Sequence, residues 1–103
     1  MPIARAKPLA GPAPHPGEIL RDELVARGLS AHALALALRL PASRINQIVR
    51  GERSITPETA LRLARYFGGS PGIWLRLQVD YDLCRAEAEL AEKIAAEVAP
   101  AAA

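Results

Sequence analysis

The chain has 103 residues, a formal net charge of +2, 50% apolar residues, 4% aromatic residues, nine Pro and seven Gly. That length suits one domain, and an Ala-rich apolar half with Gly and Pro set between periodic stretches favours short helices over a sheet. The longest apolar run, 33–38, falls far short of the roughly 20 residues of a membrane span, and nothing before it has the form of a cleavable signal, so a cytoplasmic location without membrane contact is expected.

Residues 1–14 carry four prolines and two positive charges without periodicity, which predicts a disordered or extended arm. A helical domain is expected over 15–98. Helix 1 opens at Pro16, where a missing N–H costs nothing, has Glu18 near the positive end of its dipole and stops at Gly28. Ser30 is suited to cap helix 2 over about 31–38, with Leu34, Ala37 and Leu38 on one face. Arg39, Leu40 and Pro41 interrupt the pattern, and Ile45, Ile48 and Val49 then predict helix 3, ending at Gly51.

Thr56-Pro57-Glu58 opens helix 4 with a cap, a first-turn proline and an acid, and Ala60, Leu63, Ala64 and Phe67 form its inner stripe. After Gly68-Gly69, Ser70-Pro71 repeats the device and starts helix 5, which can run through Leu83 towards Val98. Residues 99–103 should fray. The expected fold class is therefore all-α, with five helices and an extended C-terminal one.

Charge is distributed unevenly. Residues 39–65 hold six Arg against Glu52 and Glu58, a balance of +4, whereas Asp80–Val98 holds six acids against Arg85 and Lys93, a balance of −4. A basic middle and an acidic end suit a molecule whose middle faces phosphates, though solvated faces with chance asymmetry would look the same.

Two short helices joined by a short turn, here between Ser30 and Gly51, are the minimal scaffold for placing one helix in a major groove while the other braces it. With Ile45, Ile48 and Val49 turned inward, helix 3 displays Ser43, Asn46, Gln47 and Arg50 outward. Gln and Asn can pair two-pronged with adenine and Arg with guanine, while Ala42 and Ser43 are small enough for close approach. Ala42, Ser43 and Gln47 are accordingly expected at base edges, and Arg44, Asn46, Arg50 and Arg53 at phosphates. The same polar stripe occurs on any surface helix, so the pattern alone does not separate DNA binding from none.

The stretch GLSAHALALALRLPASRINQIVRGERSITPETALRLARYFG resembles the helix-turn-helix of the Xre family, which also contains lambda-type repressors. Its flanks, HPGEIL at 15–20 and SPGIWLRLQVDYDL at 70–83, are similar to those of HigA-type antitoxins. The resemblance covers about residues 15–85 and implies a lambda-repressor-like fold. It also implies a homodimer that represses its own operon through double-stranded operator DNA and neutralises a HigB/RelE-type messenger-RNA-cleaving toxin. Two positions depart from the family pattern: Arg39 stands where the turn usually has Gly, and Ala31 replaces a polar residue that often meets phosphate.

Helix 5 offers two apolar stripes, Trp74, Leu77, Tyr81 and Cys84 on one side and Leu75, Val79 and Leu83 on another, so the second predicts a dimer interface. A symmetric dimer would set two helices 3 about 34 Å apart on DNA. The toxin's surface stays open among the arm, Leu36 and the acidic end. No enzyme, metal or cofactor is expected: His15 and His32 form no ligand spacing and read as surface or capping residues, and Cys84 as a packing thiol. A stand-alone repressor and a protein-binding helical adaptor remain as alternatives.

Overall fold

The structure is a computed structural model that describes residues 13–102, so the arm expected over 1–14 lies almost wholly outside the described residues. Five helices follow in order: α1 Pro16–Arg27, α2 Ala31–Leu38, α3 Ala42–Val49, α4 Pro57–Phe67 and α5 Pro71–Glu97. Among the described residues there is no strand. Among the described residues no helix is long and apolar enough to cross a membrane.

The helix ends are made by local chemistry that the sequence spells out. Ser30 accepts from the Ala33 N–H at 3.0 Å, Thr56 from Thr59 at 3.3 Å and Ser70 from Gly72 at 3.1 Å, each satisfying a first-turn donor that the helix itself cannot. Gly28 closes α1 in the left-handed conformation, φ 64° and ψ 33°. There the Gly28 and Leu29 N–H groups turn back to Val25 and Leu24.

The core is a single cluster drawn from all five helices: Leu20 and Leu24, Leu34, Ala35 and Leu38, Ile45 and Ile48, Ala60 and Leu63, and Trp74, joined by Ile55 from the loop before α4. Of the inner stripe expected on α4, Phe67 is only partly buried. Among the described residues no buried side-chain nitrogen or oxygen lacks a partner. The body uses only the first half of α5. From Glu87 to Glu97 every residue is exposed, and the helix, about 40 Å long at 1.5 Å per residue, stretches the molecule to 53 × 25 × 24 Å. Residues 98–102 continue without regular structure.

Candidate nucleic-acid interface

α2, the turn and α3 pack as one unit. The turn is left-handed at Arg39, φ 59° and ψ 43°, the one non-glycine residue with positive φ among those described. Leu40 donates back to the Ala35 carbonyl at 3.0 Å and Arg39 to Leu36 at 3.2 Å, which closes the helix end as a glycine would. Arg62 of α4 adds a bond the sequence did not suggest: its Nη1 donates to the Leu38 carbonyl at 2.9 Å, satisfying a last-turn acceptor of α2.

α3 is held by Ile45 and Ile48, both fully buried, with Val49 half-buried beside them. It is also held from below by α1. A side chain at Gly17 would lie 1.8 Å from the Ile48 carbonyl oxygen, so only glycine lets the start of α1 reach the end of α3. With that face committed, Ser43, Asn46 and Arg50 are exposed, while Ala42, Arg44 and Gln47 are half-buried. Pro41 precedes α3 without a side-chain cap, leaving its first amides uncapped.

The polar side chains around this face are already organised. Arg53 Nε donates to Gln47 Oε1 at 2.8 Å, bringing together a residue expected at base edges and one expected at phosphates. Glu58 receives Arg62 at 3.0 Å and lies 4.0 Å from Arg44, and Glu52 lies 3.4 Å from Arg50. An open hollow of about 360 Å³ runs beside α3, lined by Arg44, Arg53 and the capping segment of α4. Of the expected dimer residues, Leu75 is half-buried against the core, while Val79 and Leu83 are 51% and 57% exposed.

A helix-turn-helix family model matches residues 20–74, just over half of the chain. Virulence-associated protein I of Dichelobacter nodosus is 64% identical over 77 residues, covering 74% of this chain and 71% of that protein. An addiction-module antidote protein of the HigA family from Coxiella burnetii superposes with a TM-score of 0.85 at 46% identity, over 88% of this chain and all of that one. The Pseudomonas aeruginosa antitoxin HigA, solved with the higBA promoter, gives 0.84 at 44% identity, over 87% of this chain and 99% of that one. The chain belongs to the HigA-type antitoxins of the Xre helix-turn-helix family. That family consists of DNA-binding regulators and antitoxins and not of enzymes.

Two residues that hold this HigA-type site were missed in the sequence. His15, expected as a surface or capping residue, does cap α1, its Nδ1 accepting from the Gly17 N–H at 2.8 Å, but it is 6% exposed. Its ring meets Tyr81 of α5 edge-on at 4.8 Å and sits below Gly51, so it wedges together α1, α3 and α5. Burial lowers its pKa below 6.5, against the opposing pull of Asp82 and Glu18. Gln78, 5% exposed within the inner stripe of α5, accepts from the Ile55 N–H at 2.7 Å and donates to Asp82 at 3.0 Å. It ties the loop after α3 to α5. A glutamine in phase with Trp74 and Tyr81 was the available signal.

Proposed function

We propose that two copies of this chain bind a two-fold operator in front of their own operon, repress it, and neutralise a partner toxin of the HigB/RelE type. The observation that carries the DNA reading is the commitment of Ile45 and Ile48 to the core, which turns the polar face of α3 to the surface beside a hollow flanked by Arg44 and Arg53. Ala42, Ser43 and Gln47 then meet base edges. Arg44, Asn46, Arg50 and Arg53 meet phosphates, with the hollow between Arg44 and Arg53 taking the backbone and the uncapped amides of α3 favouring an anion. The P. aeruginosa HigA bound to its promoter supports the same use of the same fold. Leu75, Val79 and Leu83 supply the dimer contact, which a two-fold operator requires.

Titrating the chain against its own promoter fragment and a shuffled one at several salt concentrations tests this. The promoter should bind tighter by about 10³-fold or more, with affinity for both falling steeply as salt rises. Equal affinity for the two fragments would overturn the base-reading assignment. Co-expression with the product of the adjacent reading frame tests the toxin: a complex that abolishes RNA cleavage is expected, and an unbound neighbour leaves a stand-alone repressor.

A further inference from the structure

The loop from α3 to α4, residues 50–56, carries Arg53 in water and Ile55 in the core, 3% exposed. It is fastened at both ends. Gly51 and Glu52 donate to the Ile48 and Gln47 carbonyls at 2.9 and 2.8 Å, and Thr56 caps α4. Between these ends the Ile55 N–H donates to Oε1 of Gln78 on α5 at 2.7 Å. Among the described residues this is the one hydrogen bond to the backbone of 53–55.

Position 78 lies on the inner stripe of α5, in phase with Trp74 and Tyr81, where packing alone favours an apolar side chain. Gln78 is 5% exposed, and burying an amide is costly unless both its ends are paired. Here both are. Nε2 donates to Asp82 Oδ1 at 3.0 Å, which fixes the amide's orientation and turns Oε1 to Ile55. The Ile55 N–H has the matching need, because an apolar residue at 78 would leave it buried without an acceptor.

Two residues before Ile55, Arg53 sends its Nε to Gln47 Oε1 at 2.8 Å. A series of contacts through Gln47, Arg53, Ile55, Gln78 and Asp82 therefore runs from the outer face of α3 to α5. We propose that Gln78 is a positioning residue for base reading: it fixes the loop that carries Arg53 and, through Arg53, aims the Gln47 amide at its base edge. Gln78 touches no DNA itself. Arg44 within α3 and Arg50 at its C-cap are held by the helix and not by the loop. Gln78 accordingly governs sequence preference more than the general attraction to phosphates. This role rests on the base-reading assignment above.

Titrating the full chain against the operator, its single-base-pair variants and a shuffled fragment tests the role. Gln78→Leu should weaken operator binding about tenfold and lose discrimination at the base pair that Gln47→Ala also loses. Its affinity for the shuffled fragment should change less than about twofold. Gln78→Glu keeps an acceptor for Ile55 but sets a carboxylate against Asp82, so it should also lose discrimination. Adding Asp82→Asn supplies a donor there, and the pair should restore the profile. Leu24→Ala, a core change in α1 outside this series, should lower the urea midpoint and keep the profile. Circular dichroism selects variants of native helicity, and if Gln78→Leu does not fold, the Gln78→Glu and Asp82→Asn pair decides. An unchanged profile in Gln78→Leu, equal weakening on both fragments, no recovery in the folded pair, or the same altered profile in Leu24→Ala overturns the positioning role. An unchanged profile in Gln47→Ala overturns instead the base reading on which that role depends.

Discussion

In the proposed DNA complex, the bond from Arg53 to Gln47 restrains a side chain that would otherwise lose up to about 2 kcal/mol of rotamer freedom on being ordered at a base edge. The glutamine oxygen keeps a second lone pair for an adenine amino group, and the arginine keeps its outer nitrogens for a phosphate. Gln47→Ala and Arg53→Ala should therefore not add: the double variant should lose less operator affinity than the sum of the singles, by about 0.5–3 kcal/mol in a double-mutant cycle measured by titration. Strict additivity would mean that the two act separately. His15 acts by a different route. Because burial holds its folded pKa below 6.5, the neutral ring is the one that caps α1, and its contribution is complete above about pH 6.5. That stability is lost as pH falls from there through the folded pKa, when Nδ1 gains a proton and can no longer accept from Gly17. Denaturant melts from about pH 8 down to 5 should show the decline, and His15→Asn, which caps without titrating, should flatten it.

Among the elements, the turn at Arg39 is the place where local preference and fold disagree. A left-handed L-residue costs about 1–2 kcal/mol, and here the cost is offset by the two closing bonds, by Leu40 packed on the core and by Arg62 on the Leu38 carbonyl. Arg39→Gly removes the strain but adds about 0.5–1 kcal/mol of unfolded-state freedom, leaving a net gain of about 0.5–1 kcal/mol. A higher urea midpoint with unchanged helicity checks this. The helix boundaries were legible because Ser30, Thr56-Pro57 and Ser70-Pro71 start helices, and Gly28 and Arg39-Leu40-Pro41 stop them, through contacts a few residues long. The apolar spacing likewise identified Ile45 and Ile48 as inner and Ser43, Asn46 and Arg50 as outer. The burial of His15, the Gln78 bridge to Ile55 and the Arg62 cap were not legible, since each joins segments far apart in sequence. Periodicity says which way a side chain faces and not what it meets.

Across the whole molecule the charge is divided between a basic middle and an acidic end. Of the basic stretch from Arg39 to Arg65, Arg44, Arg50 and Arg53 flank the outer face of α3, while Arg39, Arg62 and Arg65 gather between the end of α2 and α4. Glu52 and Glu58 neutralise part of this charge, so its long-range pull on an anion is weaker than the residue count suggests. The acidic half of α5 projects from the body, with every residue from Glu87 to Glu97 exposed. The central claim of the proposed function is the reading of an operator by α3. The most direct measurement compares the unaltered chain with Gln47→Ala on the operator and on every single-base-pair variant of it. The unaltered chain should lose about 1–3 kcal/mol at each base pair it reads, and Gln47→Ala should lose its discrimination at one pair in each half-site while keeping it elsewhere. An identical preference profile in the two proteins would contradict the placement of this face in the groove.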